Sequence, residues 1–256
     1  MKKIQYSDIY DWEFEMICTR QKHDIKLWKN LAAIYGGQIL EICCGSGRIT
    51  QELAAVEFQI IALDNSAEML TILEKKKLDN VQIVLADMRN FQIDRKFKFA
   101  FISYSSFQQL LTQEDQFQCL NAIKRHLAND GVLGIDINPH ILEGPETTEN
   151  EIALIADYPP NNSRITMFSS YQIDRKNRIK HWKDKYVEID KTGNKHEFTN
   201  EISLKGYNRK EMEKLFNLCG FEIVDVFGDF DGGKVTKESW NHIYLLKNFL
   251  LTKKDS

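Results

Sequence analysis

The 256-residue sequence predicts an α/β fold, a parallel sheet with helices on both faces, interrupted by an antiparallel insert. Three observations carry this expectation. Short apolar runs alternate with helix-patterned stretches through the first 140 residues, all four prolines fall between positions 139 and 160, and past them the pattern changes to period two. Strands that alternate with helices pair in parallel through right-handed crossovers, and such a sheet is covered on both sides. The proline cluster marks a boundary, and alternating segments beyond it read as hairpins.

Taken in order, residues 6–35 are rich in aromatic and charged side chains and are expected to form helices packing over the mouth of the core. A strand over 38–43 runs into a helix over 48–56, and 59–63 with 67–77 repeats the pair. Strands over 81–85 and 97–103, a helix over 114–127 and a fifth strand over 132–137 follow. Beyond the prolines, 164–172, 178–189 and 196–204 are strands joined by Asp174-Arg175-Lys176-Asn177 and Asp190-Lys191-Thr192-Gly193-Asn194, both runs of turn formers. Asn208 then caps a helix over 209–219, Gly220 ends it, and strands over 221–227 and 242–250 close the first domain. The expected organisation is a helical cap over 1–36, a core over 37–140 and 206–256, and an inserted sheet over 141–205.

Apolar residues make up 43% of the chain and charged residues 28%, an ordinary globular balance that excludes low-complexity readings. The net charge of −3 argues against general phosphate-backbone binding. Apolar stretches such as 132–137 and 242–251 are too short to span a bilayer. The first eight residues lack the apolar centre of a signal peptide, so the expected location is the cytoplasm. Five cysteines, at 18, 43, 44, 119 and 219, form no CxxC pair; they read as reduced, packed thiols and predict neither a zinc ribbon nor a redox motif. No metal site is expected.

The most informative segment is Ile39-Leu40-Glu41-Ile42-Cys43-Cys44-Gly45-Ser46-Gly47-Arg48, a strand running into a glycine turn that opens a helix. Glycines there let the backbone approach a ligand closely. The next strand ends on Asp64, 17 positions beyond Gly47, where a βαβ unit usually holds a ribose diol. The third ends Leu85-Ala86-Asp87-Met88, offering a carboxylate to an adenine amino group and an apolar side chain to its ring.

These residues resemble the class I S-adenosylmethionine-dependent methyltransferases, whose first motif is an acid followed by alternating glycines. Glu41 to Gly47 fits it except that Cys43 stands where glycine is common. Leu63-Asp64-Asn65-Ser66-Ala67-Glu68-Met69-Leu70 is similar to the second motif and Ala86-Asp87-Met88-Arg89 to the third. Further agreement lies in 99–107, in Asn129-Asp130-Gly131 and in Leu218-Cys219-Gly220-Phe221, so the resemblance runs from Tyr10 through Leu246. It implies a Rossmann-like seven-stranded methyltransferase sheet and S-adenosylmethionine as cofactor. Glu41, Cys43, Gly45, Gly47, Asp64, Asn65, Met69, Asp87, Met88 and Ser103 are then cofactor-binding. Tyr10 and Arg48 are candidates for the methionine end, against a helix-packing aromatic and a solvated first-turn residue. Within the family the chain looks most like small-molecule enzymes that methylate amines, such as glycine and aminosugar N-methyltransferases, which share the cap, the insert after the fifth strand and a segment similar to Gly228-Asp229-Phe230-Asp231.

The expected reaction is in-line transfer of a methyl group from a sulfonium to a nucleophilic nitrogen or oxygen of a small molecule. It depends mostly on holding the attacking atom about 3–3.5 Å from the methyl carbon. Candidate catalytic residues are His140, in the Asn138-Pro139-His140 turn after the fifth strand, and Tyr104. Ser105, Phe107, Asn138 and Tyr171 are the candidate acceptor-side residues. The expected partner is a small methyl acceptor, with neither nucleic acid nor membrane, and the assembly a monomer or homodimer.

Three other readings stay open at this stage. A nicotinamide-dependent oxidoreductase would prefer a third glycine, whereas positions 45, 47 and 50 are Gly, Gly and Thr. The second is a nucleic-acid or protein methyltransferase; base-amino methyltransferases carry an Asn/Asp-Pro-Pro-Tyr/Phe motif after the fourth strand, whereas this chain has Ser103-Tyr104-Ser105-Ser106 there. A cofactor-binding regulator without catalysis is not excluded by any motif.

Overall fold

The computed structural model describes residues 4–17 and 22–249, which divide into two compact units. The larger comprises residues 21–139 and 207–256; the smaller comprises residues 1–20 and 140–206. Cys18, the end of the last expected strand at 250 and the first three residues lie outside the described residues.

In the larger unit, helix α2 (Lys22–Tyr35) precedes β1 (Ile39–Ile42), α3 (Arg48–Ala54), β2 (Ile60–Asp64), α4 (Ala67–Lys75), β3 (Val81–Leu85) and β4 (Phe97–Ile102). A 3-10 turn at Ser106–Gln109, α5 (Gln113–His126), β5 (Leu127–Ile137), α6 (Arg209–Leu218), β10 (Phe221–Phe227) and β11 (His242–Asn248) complete it. The seven strands are ordered β10-β11-β5-β4-β1-β2-β3, parallel except for β11, which runs antiparallel to both β5 and β10.

Period-two alternation divides the strand side chains between two cores. Leu40, Ile42, Ile61, Leu63, Ala100, Ile102, Leu133 and Ile135 face one side, against Leu120 and Ile123 of α5 and Leu215 and Phe216 of α6. Ile39, Ile60, Ala62, Phe99 and Phe101 face the other, against Trp28 and Leu31 of α2, Leu53 of α3 and Leu73 of α4. Trp28 stacks on Phe101 with ring centroids 4.8 Å apart. Each fully buried aliphatic or aromatic side chain contributes about 1.5–3 kcal/mol of transfer free energy, so strands covered on both faces are the stability centre of this unit. Helix starts follow their capping chemistry: Ser66 accepts from the Met69 amide, Thr112 from the Asp115 amide, and Asn208 forms a capping box with Glu211.

In the smaller unit, helix α1 (Tyr6–Ile17) packs with a four-stranded antiparallel sheet of β6 (Glu151–Tyr158), β7 (Ser163–Asp174), β8 (Ile179–Ile189) and β9 (Lys195–Lys205), in that order. Tyr158 Oη donates to the Asp8 carbonyl at 2.8 Å, Tyr186 Oη to Glu13 Oε2 at 2.7 Å, and His196 Nε2 to the Ile4 carbonyl at 3.0 Å. Tyr186 and Phe198 stack beneath the helix, centroids 4.9 Å apart.

Two differences from the sequence reading have physical causes. The insert has four strands rather than three: β6 was hidden because a register shift between Ile152 and Leu154 breaks its alternation and its side chains are mostly exposed. The helical segment expected as one cap over 1–36 is divided, α1 grouping with the antiparallel sheet and α2 with the larger unit. A stripe of aromatics on α1 meets Tyr158 and Tyr186, whereas Leu27, Trp28 and Leu31 of α2 meet Phe99 and Phe101.

Candidate functional site

Between β4 and β1 the strand order reverses direction, and the carboxyl edge of an open sheet at such a point forms a crevice for ligands. The site residues of the larger unit come from the strand ends at this edge and from the loops and first helical turns that follow them. After Ile42 the chain turns through Cys43 (φ 60°) and Gly45 (φ 55°) to Gly47 (φ 82°), all left-handed, and α3 begins. A Cβ on Gly47 would lie 2.3 Å from Leu73 Cδ1, so only glycine fits both the backbone and the packing.

Asp64, the last residue of β2, holds this loop from below. Its Oδ2 accepts the Gly45 amide at 2.8 Å and its Oδ1 accepts the Ser66 amide at 2.9 Å, tying the glycine turn to the start of α4. The next residue, Asn65, is exposed and Met69 is half-buried. From β3, Met88 meets Cys43 Sγ at 3.6 Å, forming an apolar wall beside the loop. Burial and the surrounding carboxylates push the Cys43 thiol well up from its ordinary range, so it is an inert packing group.

Asp87 is not a free carboxylate. Arg89 grips it through Nη2 at 2.6 Å and Nε at 3.0 Å and reaches Asp115 with Nη1 at 2.7 Å. These hydrogen bonds from Arg89 lower the Asp87 pKa. Glu41 lies beneath the loop, 1% exposed, with Thr50 Oγ1 donating to its Oε2 at 2.6 Å. Burial raises its pKa to about 8. Arg48 turns toward α2, where Asp24 takes it in a bidentate pair, and its guanidinium lies 5.9 Å from the Tyr104 ring centroid.

On the β4 side, Ser103 is buried and Tyr104 is 45% exposed. Tyr104 and Ser105 are both left-handed at φ 56°, and Asp136 Oδ1 accepts the Ser105 amide at 2.6 Å. The following 3-10 turn drives Phe107 inward, where it is wholly buried among Leu110, Leu120 and Ile123, so the acceptor-side role expected for Phe107 is corrected to a core role. The Asn138 backbone exchanges hydrogen bonds with the Gln108 amide side chain at 2.8 and 3.1 Å.

Tyr10, His140 and Tyr171 belong to the smaller unit. Tyr10 packs edge-on to Tyr6, centroids 5.8 Å apart. His140 Nδ1 pairs with Glu143 Oε1. Tyr171 lies beside Trp182, and Lys180 Nζ sits 3.6 Å from its ring centroid.

Thus Glu41, Cys43, Gly45, Gly47, Arg48, Asp64, Met88 and Ser103 gather with Asp87 on one edge. Sequence reasoning missed Asp24, Thr50, Arg89, Asp115 and Asp136. Asp136 had a readable signal, an acid inside the apolar run Val132-Leu133-Gly134-Ile135-Asp136-Ile137; Asp24, in the polar first turn of a helix, had none. The arrangement suits a nucleoside-bearing ligand: flexible glycine backbone at one end, a carboxylate at the end of β2, and a sulfur-lined apolar wall beside them. Among the described residues no group of three or more His, Cys, Asp or Glu could hold a metal ion, and no helix is long and apolar enough to cross a membrane.

Comparison with known proteins agrees with this geometry. Residues 39–131 match the family described as a methyltransferase domain. The chain is 33% identical over 102 residues to the cypemycin N-terminal methyltransferase of Streptomyces sp, covering 40% of this chain and 42% of that protein. It is 30% identical over 98 residues to the dTDP-3-amino-3,6-dideoxy-α-D-glucopyranose N,N-dimethyltransferase of Streptomyces fradiae, covering 38% of each. These matches span about two-fifths of either relative's length. Among solved structures, an S-adenosylmethionine-dependent methyltransferase from Clostridium acetobutylicum superposes with a TM-score of 0.78 at 21% identity, covering 95% of this chain and 97% of that one, a likeness of fold.

Proposed function

We propose that this chain, whose residues 39–131 match a methyltransferase-domain family, is an S-adenosylmethionine-dependent enzyme that methylates a nucleophilic nitrogen of a small molecule. The observation that carries this reading is Asp64, bridging the Gly45 and Ser66 amides at the carboxyl end of β2, one strand from the point where the strand order reverses. Nitrogen is favoured over oxygen because the names of both relatives specify transfer to an amine.

The residues fit the cofactor: Gly45 and Gly47 give close backbone approach, Asp64 offers a diol acceptor, and Cys43 with Met88 offers an apolar wall. Asn65, Met69 and Ser103 flank that path, and Asp87 meets the base through the oxygen lone pairs that Arg89 leaves open. Held there by Asp64, the glycine loop and the Cys43–Met88 wall, S-adenosylmethionine would supply a methyl group on a positively charged sulfur for in-line transfer to an amine lone pair.

The protein's task is orientation and exclusion of water, since the positive charge passes from the sulfur to the attacking nitrogen and is dispersed between them in the transition state. Tyr104 and Ser105, at the carboxyl edge of β4, are the acceptor-side groups of the larger unit. Asn138, His140 and Tyr171 are assigned to the acceptor side as well, with His140 as the base that keeps the amine neutral, and Tyr10 and Arg48 to the methionine end of the cofactor. The enzyme is taken to be cytoplasmic, a monomer or homodimer, and, with its net charge of −3, to act on a small molecule in preference to nucleic acid.

Calorimetry with S-adenosylmethionine tests the reading. Binding by the wild type, weakened at least tenfold in Asp64→Ala with the fold intact by circular dichroism, is expected. Tight NADH binding with none of the sulfonium would overturn it. Transfer of labelled methyl to dTDP-3-amino-sugars and short peptide N-termini then tests the acceptor class.

A further inference from the structure

We infer that Asp136 is a positioning residue, whose carboxylate fixes the Tyr104–Ser105 turn that presents the acceptor-side groups. The inference rests on the methyltransferase reading for what the turn does, but not for what holds it.

The turn needs holding. Two successive residues with side chains adopt φ 56°, a region that L-residues avoid because Cβ crowds the following carbonyl. Such strain persists only where surrounding contacts over-determine it, and it concentrates at functional sites. Here Asp136 Oδ1 accepts the Ser105 amide at 2.6 Å, and the backbone of Tyr104 also bonds to this carboxylate. The Ser106 amide donates to the Ser103 carbonyl at 3.2 Å and the Gln108 amide to the Ser105 carbonyl at 2.9 Å, closing the turn from its far side.

Asp136 is an unusual choice for a purely structural position. It is 1% exposed within the otherwise apolar run over residues 132–137, between Ile135 and Ile137 and opposite Ile243 of β11. Burial pushes its carboxyl up to about 7, against the backbone hydrogen bonds and Arg48, which pull it down. Burying an acid is unfavourable unless its oxygens are hydrogen-bonded, and Asp136 of β5 finds its partner in the backbone of the acceptor-side turn rather than in another core group. The product of this arrangement is Tyr104, 45% exposed although the four residues before it are buried, and capped by the Arg48 guanidinium from the glycine-loop side.

Asp136→Ala and Asp136→Asn separate positioning from folding. Hydrogen exchange of the peptide spanning residues 103–107 is expected to speed up at least tenfold in Asp136→Ala and less than threefold in Asp136→Asn, which keeps an acceptor oxygen. Affinity for S-adenosylmethionine is expected to stay within twofold in both. With dTDP-3-amino-3,6-dideoxy-α-D-glucopyranose as probe amine, Asp136→Ala raises KM at least tenfold with a smaller change in kcat, and Asp136→Asn restores it. Unchanged exchange in Asp136→Ala, cofactor affinity falling in step with exchange, or an Asn variant that is folded yet as impaired as Ala each overturns the inference. If Asp136→Ala does not fold, the Asn variant decides: wild-type exchange with wild-type cofactor affinity supports the inference, and faster exchange overturns it. A wild type that fails to bind S-adenosylmethionine refutes the proposed function, and exchange alone then decides whether Asp136 holds the turn. A wild type that binds it but leaves the probe amine unmethylated puts the decision on exchange and cofactor affinity together.

Discussion

Arg48, the first residue of α3, and Asp24, in the first turn of α2, form a bidentate ion pair, Nη1 to Oδ1 at 2.9 Å and Nη2 to Oδ2 at 2.5 Å. The side chains are 15% and 2% exposed, so this is a shielded pair joining the helix that opens the glycine loop to a helix some twenty residues upstream.

Removing one partner of such a pair leaves a buried charge uncompensated. Asp24→Ala is expected to destabilise the protein by about 3–5 kcal/mol in urea unfolding. Arg48→Met together with Asp24→Leu should recover most of that loss. A single-variant loss below about 1 kcal/mol would show the pair to be solvent-screened.

Cys43 reverses the usual ranking of glycine and alanine. Its φ of 60° favours glycine, while its thiol packs on Met88. Both replacements lose that contact, but only alanine keeps the backbone strain, so Cys43→Gly should be more stable than Cys43→Ala by about 1 kcal/mol. Thermal melts of the two variants decide it, and equal stability counts against strain at this position.

Gly47→Ala meets two obstacles at once, a left-handed φ of 82° and a Cβ 2.3 Å from Leu73 Cδ1. A loss of about 2–4 kcal/mol is expected from strain and overpacking together. Leu73→Ala in the same chain relieves only the steric part. Chemical denaturation of both measures the division, and a single-variant loss under about 1 kcal/mol refutes the obstacle.

Glu41 makes stability depend on pH. Its pKa rises from 4.5 to about 8 on folding, so between these values the folded protein binds more protons than the unfolded chain. Stability therefore falls as pH rises from about 4.5 to 8, and Asp136 and Glu13, each raised to about 7, act in the same direction. Glu41→Gln should flatten the profile and add on the order of a few kcal/mol at pH 8. Melting temperatures at pH 5 and pH 8 test it: a variant whose profile parallels the wild type excludes Glu41 as the source.

The elements most legible in the sequence are those where burial and backbone pattern coincide. β1, β2 and, apart from Lys98, β4 are buried on both faces, and the glycine loop with Asp64 was legible because its chemistry is local in sequence. β6 was not, because its bulge moves side chains off period two. The Phe107 reversal was equally invisible: a 3-10 turn of four residues decides which way that ring points, and no periodicity records it. Asp24 with Arg48 and Arg89 with Asp115 pair across 24 and 26 residues, through contacts that exist only once helices dock.

The contacts of α1 with Tyr158, Tyr186 and His196 also set an order of events during synthesis. The helix at Tyr6–Ile17 is made first, but the sheet it covers is complete only at Lys205, so at bacterial-to-eukaryotic elongation speeds of about 5–20 residues per second it waits roughly 10–40 s for its partner. Through that interval its aromatic stripe has no native surface to cover. Residues 6–17 are thus the first element of the smaller unit to be made and the one that waits longest for its native contacts.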